Sequence, residues 1–320
     1  MSARDPVEET AAAYLRFAEI EARGRSPLYE SLARHVAEDG DVLAFLLTLP
    51  PAKRQPNLLL AAVRQHLGGP VDWPDFRRAV RDKADEIGRL MLQRSTQTNE
   101  PGRCAVLLPA LAQLQQPLAL IEVGASAGLC LLPDYYGYDY GDARLASGCR
   151  PCFPCVAGRG TPLPSAVPQV VWRAGLDLNP LDPSDPKDRA WLEALVWPDQ
   201  HDRLHRLRQA LAIAEAVKPR LVRGDLRHDL ASLAAQAPAE ATLVIFHTAV
   251  LAYVSSTAER RAFADQALQL ADFWIANERP QVFPDIARRA PTAARDFLLS
   301  VNGKPIAWTH PHGATIDWIV

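Results

Sequence analysis

Glu122, Gly124, Ser126 and Gly128 stand at every second position within the apolar run P-L-A-L-I-E-V-G-A-S-A-G-L-C-L-L over 117–132. The run reads as a buried strand ending in an acid, then a turn of small residues and the start of an apolar helix. Small residues there let the backbone turn sharply and let a ligand approach N–H groups at a helix N-terminus. Two chemistries use such a turn. A nucleoside or dinucleotide pocket needs the glycines for close approach and an acid further along for ribose hydroxyls. A nucleophile elbow needs G-x-S-x-G, which Gly124-Ala125-Ser126-Ala127-Gly128 also matches, to expose a reactive serine.

Other side chains have the chemistry to join either site. His247 ends the string T-L-V-I-F-H (242–247), at the end of an open sheet where binding crevices form, and its ordinary pKa suits a general base. Glu278 follows F-W-I-A-N (273–277) on the same side and is a candidate substrate contact; Tyr253, expected to pack, is a weaker one. Gln97, Asn99, Glu100 and Arg103 form a polar set ahead of an apolar helix. Thr98 or Asn99 would cap that helix, with Pro101 in its first turn, and Arg103 offers a planar fork for a carboxylate. For serine chemistry the partners of Ser126 would come from Asp225, His247, His310 and His312. Against that stands the absence of strands upstream, since an elbow of this kind follows several. Cys149, Cys152 and Cys155 have C-x-x-C-x-x-C spacing, which suits part of a zinc site and equally suits small apolar fillers in a Pro-rich stretch; no metal is assigned to them.

The elements that must position these residues fall into two grammars. Up to residue 115 the pattern is helical, over 8–22, 28–38, 42–49, 58–67, 75–93 and 104–114, and predicts an N-terminal helical cap over 1–115. From 116 to 320 apolar strands (118–123, 170–174, 220–223, 242–247, 273–276, 296–301, 306–308 and 315–319) alternate with helices (188–195, 203–216, 226–236 and 258–271). That alternation predicts an α/β fold, a doubly wound and mostly parallel sheet, with a β-rich insertion over about 135–169. The chain of 320 residues is long enough for two domains. A net charge of -2 gives no basic field, which disfavours nucleic acid as a partner. The N-terminal residues lack the apolar stretch of a secretory signal, and no run approaches the roughly 20 apolar residues of a membrane span. The expectation is a soluble, cytoplasmic protein with a small-molecule substrate; no pattern sets its oligomeric state.

The spacing E-x-G-x-S-x-G resembles motif I of the class I S-adenosylmethionine (SAM) dependent methyltransferases, E/D-x-G-x-G-x-G, with Ser126 at the central glycine. V-V-W-R-A-G-L-D (170–177) resembles the second strand of that fold, L-V-R-G-D (221–225) the third, and T-L-V-I-F-H-T-A-V-L-A-Y-V (242–254) the fourth with its loop. The resemblance covers about 118–320 and implies a Rossmann-like fold that binds SAM. In it Glu122 would arrange the turn and the cofactor's amino group, with Gly124, Ser126 and Gly128 against the cofactor. Asp177 would accept the ribose hydroxyls, Asp225 would lie beside the adenine, and Arg103 would hold the methionine carboxylate. Methyl transfer to a small molecule would use His247 as base. The insertion sets Asp177 farther from the turn than the common spacing, so Asp139, Asp142 and Asp182 compete for its role. With Gln97-Thr98-Asn99-Glu100, the Asp177 string and Leu195-Val196-Trp197-Pro198, the whole chain also resembles a bacterial family catalogued only as a domain of unknown function. Two further readings stay open: a serine hydrolase acting through Ser126, and a protein that binds SAM without catalysis.

Overall fold

Asp5-Pro6, Ser26-Pro27 and Asp185-Pro186 each set a capping oxygen one residue ahead of a proline whose fixed φ starts a helix. The computed structural model describes residues 5–97, 99–146, 148, 150–291 and 297–319. Its helices are α1 (Pro6–Arg16), α2 (Pro27–Glu38), α3 (Gly40–Leu47), α4 (Pro56–Leu67), α5 (Trp73–Asp82), α6 (Ala84–Gln93), α7 (Cys104–Leu111), α8 (Pro186–Leu195), α9 (His201–Val217), α10 (Leu230–Ala234), α11 (Thr257–Leu270) and α12 (Pro284–Ala287). Its strands are β1 (Leu118–Val123), β2 (Gly137–Asp139), β3 (Arg144–Leu145), β4 (Cys152–Pro154), β5 (Val156–Ala157), β6 (Val170–Asp177), β7 (Arg220–Arg223), β8 (Thr242–Thr248), β9 (Phe273–Glu278), β10 (Phe297–Val301), β11 (Lys304–Thr309) and β12 (Thr315–Trp318). They divide into two compact units, Met1–Thr98 with Asp185–His205, and Asn99–Ser184 with Arg206–Val320. Thus α7 belongs to the α/β unit, and α8 with the start of α9 belongs to the helical one.

The helical unit is held around its inserted segment. Trp191 is buried and donates from Nε1 to Ser95 O at 3.1 Å, while Arg94 pairs with Asp188. Trp197 donates to Asn57 Oδ1 at 2.9 Å, and its ring meets Phe17 at 5.5 Å and Tyr29 at 6.0 Å. Arg64 donates to Val196 O and Ser26 to Asp199 Oδ2. The Leu195-Val196-Trp197-Pro198 string is therefore an anchor in this unit's core. The single helix expected over 75–93 is two, α5 and α6, because Lys83 between them leaves helical geometry at φ −128°.

In the α/β unit, nine strands form one sheet in the order β5-β12-β11-β10-β9-β8-β1-β6-β7. β7, β6, β1, β8 and β9 pair in parallel, in the doubly wound order 3-2-1-4-5. β10, β11 and β12 then continue antiparallel. All six residues of β1 are buried, as expected for a parallel strand covered on both faces. Strand order reverses beside β1, so the crevice beyond the C-terminal ends of β1 and β8 is where such sheets bind ligands.

Two local expectations are corrected. The glycine turn does not open an α-helix. Gly128 sits at φ +69° and only 3-10 turns, Leu129–Leu131 and Pro133–Tyr135, follow. The stretch 136–140 lies in the insertion as expected, supplying β2 of a separate three-stranded sheet, β3-β2-β4, and β6 is the second strand of the main sheet. The helix expected over 226–236 contracts to α10. Among the described residues, no helix is long and apolar enough to cross a membrane.

Candidate ligand site at the strand ends

At the end of β1 the backbone takes positive φ at Gly124 (+73°), Ser126 (+49°) and Gly128 (+69°). Gly124 is required twice over. Its φ is one that L side chains rarely adopt, and a Cβ there would lie 3.0 Å from Val250 Cβ and Cγ1, and closer still to Cγ2. Gly175 on β6 makes the second close approach, where a Cβ would lie 2.5 Å from that of Ala125.

The strained Ser126 is held from both sides. Its N–H donates to Asp177 Oδ2 at 2.8 Å, and its Oγ accepts from Asn99 Nδ2. Asn99 Oδ1 in turn accepts the Ala127 N–H at 3.1 Å. Asp177 Oδ1 accepts the Asn179 N–H at 2.7 Å. The Asp177 carboxylate thus shapes the turn, with lone pairs remaining for further donors. Its sequence competitors are engaged elsewhere: Asp139 caps Gly141 and pairs with Arg144, Asp182 caps Ser184, and Asp142 is exposed. Asp225 lies at the end of β7, where the Arg227 guanidinium holds its carboxyl down to about 2.

Glu122 is 5% exposed, and its Oε2 has no hydrogen-bond partner among the described residues. Burial pushes its pKa well above the ordinary value, the Cys130 thiol beside it adds to the rise, and Arg103 opposes it. On the same face as Glu122, strand alternation places Thr248 and Asn277. Arg103, 5% exposed, donates from Nη1 to Thr248 O at 3.2 Å and Oγ1 at 3.1 Å, and from Nε to Pro311 O at 2.8 Å. Thr309 donates to Asn277 Oδ1 at 2.7 Å. Glu100 Oε1 accepts the Gly102 N–H at 3.1 Å, and its Oε2 lies 3.5 Å from His312 Nδ1. A buried polar row therefore crosses the strand ends.

His247 and Glu278 point to the opposite face. His247 is fully buried against Phe263, Trp274 and Phe283. Trp274 Nε1 donates to its Nε2 at 3.1 Å, which leaves Nδ1–H to donate to Glu278 Oε1 at 2.8 Å. With both nitrogens bonded inside a hydrophobic cluster, His247 does not reach substrate, and its expected role as general base does not fit. Glu278 Oε1 also accepts the Val250 and Leu251 N–H groups at 2.8 and 3.0 Å, so it supports the loop after β8 instead of touching a ligand there. Tyr253 on that loop is 73% exposed, against the expectation that it packs. Gln97 falls in the helical unit.

The serine reading finds no base among the described residues: the Ser126 N–H donates to Asp177, its Oγ accepts from Asn99 Nδ2, and its carbonyl accepts the Leu181 N–H. Of the cysteine cluster, Cys149 lies outside the described residues; Cys155 is buried and pushed up to about 12, so its thiol stays protonated. Among the described residues no group of three His, Cys, Asp or Glu is placed to hold a metal. The sequence reading missed Thr248, Asn277, Thr309 and Val250. The consecutive polar pair Asn277-Glu278 ending an apolar strand was the available signal, because neighbours on a strand serve opposite faces.

A family model described as "Uncharacterized protein conserved in bacteria (DUF2332)" matches residues 11–318. The chain belongs to this family. The DUF2332 match runs through both compact units and through the inserted 185–205, so helical and α/β parts belong to one family-wide sequence. No curated protein and no solved structure matches the chain.

Proposed function

We propose that the strand-end site binds SAM and that the protein transfers the sulfonium methyl to a small-molecule acceptor. The observation that carries this reading is Glu122, a buried carboxyl beside the glycine turn at the point where strand order reverses, with one oxygen unsatisfied. A buried acceptor without a donor is costly, and a ligand ammonium supplies the donor. Three further features support a nucleoside ligand without phosphates. No α-helix follows the turn, so the helix N-terminus that holds a pyrophosphate is missing. Asp177 stands at the end of the neighbouring strand with its carboxylate against the turn. Leu178, just past the end of β6, and Tyr253, on the loop after β8, are largely exposed and offer apolar cover for a purine ring.

In this reading Glu122 orients the amino group, the Gly124–Gly128 backbone lies against the cofactor, Asp177 takes ribose hydroxyls and Asp225 stands on the adenine side. Bound SAM supplies an electrophilic methyl for in-line transfer. The protein contributes positioning, which is worth several kcal/mol in bimolecular reactions. His247 and Glu278 take no proton from the acceptor; they fix the loop against the turn. Calorimetric titration of the full chain with SAM and its demethylated product tests the proposal. Micromolar binding that weakens at least tenfold in Glu122→Gln supports it, and failure of the wild-type chain to bind either compound refutes it.

A further inference from the structure

The guanidinium of Arg103 is a buried cation whose hydrogen bonds, among the described residues, go to neutral acceptors, Pro311 O, Thr248 O and Thr248 Oγ1. Those bonds occupy Nε and Nη1 and leave the Nη2 end of the fork. The acid beside it, Glu122, is buried, and burial raises its pKa, which weakens it as a counter-charge. A buried charge without an opposite partner is expensive, and structures retain one where an anion completes it. Asn277 adds the second observation. It is 0% exposed, its Oδ1 accepts from Thr309, and its Nδ2 has no hydrogen-bond partner among the described residues. Thr248 ties the two together, since it pairs with Asn277 across β8 and β9 while its oxygens bind Arg103. One cationic fork and one unsatisfied amide donor on a single sheet face make a donor set, and the matching ligand is a planar anion with two acceptor oxygens.

We propose that Arg103 and Asn277, braced by Thr248 and Thr309, form a subsite for a small carboxylate. Two sources share that chemistry: the amino-acid end of SAM, if the function proposed above holds, or a carboxylate on the methyl acceptor. The subsite itself stands without either.

The test uses the full-length chain labelled with 15N and sodium acetate as probe, with acetamide and sodium chloride as controls, in the absence of SAM. Acetate should shift the Asn277 side-chain amide and the Arg103 Nε signals saturably, and acetamide should not. Asn277→Asp keeps the acceptor for Thr309 and turns the donor into a repelling oxygen; Arg103→Lys keeps the charge and loses the fork. Each should weaken acetate at least tenfold while the remaining amide spectrum stays that of the folded chain. No saturable shift in the wild-type chain, or unchanged acetate binding in both folded variants, overturns the subsite. Repeating the titration with SAM assigns the source: mutual exclusion gives the site to the cofactor's carboxylate, simultaneous binding gives it to the acceptor. A chain that takes acetate and never SAM would sink the methyltransferase reading and leave the carboxylate site standing.

Discussion

Glu122→Gln separates the charge of this carboxyl from its shape, and the structure fixes the sign of its effect. In the unfolded chain the carboxyl titrates near 4.5, the ordinary value for glutamate; in the folded chain burial moves it well above. Between those two values the native state holds a proton that the unfolded state has released. Its contribution to stability is therefore complete below about pH 4.5 and is lost as pH rises towards the native pKa. The slope follows from linkage, about 1.4 kcal/mol per pH unit for one proton. Gln cannot ionise, so the difference in unfolding free energy between variant and wild type should grow in the variant's favour by that amount per unit across the window. Urea unfolding of both proteins at intervals from about pH 5 to pH 8 reads this directly. A cationic ligand reverses the preference, because it favours the ionised carboxylate. SAM affinity of the wild-type chain should rise with pH through the same window, with proton release, while that of Glu122→Gln stays flat. Parallel stability curves for the two proteins would show that Glu122 is ionised when folded, and the account of the site would fail with that result.

Gly124→Ala should cost about 2–5 kcal/mol, the sum of a left-handed φ and overpacking against Val250; adding Val250→Ala should recover about 1–3 kcal/mol, and strict additivity in urea unfolding would contradict the contact. His247→Ala should destabilise by about 2–4 kcal/mol, since it leaves Trp274 and Glu278 without their partner inside a cluster of rings. A variant as stable as wild type that loses only turnover would restore His247 as a base. Asn99→Ala removes two bonds to the glycine turn and should cost about 1–3 kcal/mol, with weaker SAM binding in calorimetry; unchanged affinity would place the ligand elsewhere. Trp197→Ala should cost the helical unit about 3–5 kcal/mol, visible as early proteolysis within 5–97, and uniform protection would refute the anchor.

What the sequence made legible was the part dictated by continuous local patterns. β1 coincides with its expected residues, 118–123, because an unbroken apolar run ending in an acid has few other uses. The helices that begin with a cap and a proline start within two residues of their expected places. The failures share another cause. The run L-C-L-L after Gly128 has helical composition, yet a left-handed glycine before it and Pro133 after it leave room only for 3-10 turns. Position in the chain assigned helix 188–195 and the Trp197 string to the α/β part, but local pattern does not say whose core a segment joins, and 185–205 belongs to the helical unit. His247 was placed correctly at a strand end and misread in role, because one residue of register decides whether a side chain faces the crevice or the cluster of Phe263 and Trp274.

That register sorts the polar groups of the site into two systems with different tasks. On one face Glu122 Oε2 and Asn277 Nδ2 have no hydrogen-bond partner among the described residues, and Thr248 holds Arg103. On the other, Trp274, His247 and Glu278 form a closed chain of bonds that ends on the N–H groups of Val250 and Leu251. Val250 then meets Gly124, which admits no side chain of its own. A buried relay therefore runs from Trp274, near the start of β9, to the loop that lies over the glycine turn. Glu278 Oε1 accepts the bonds from His247, Val250 and Leu251 while its Oε2 has no partner among the described residues, and directional bonds of this kind fix position where an apolar filler would give only volume. If the strand-end site binds the ligand proposed above, substitutions on the two faces should be told apart by whether stability, on the His247 face, or ligand affinity, on the Glu122 face, moves first.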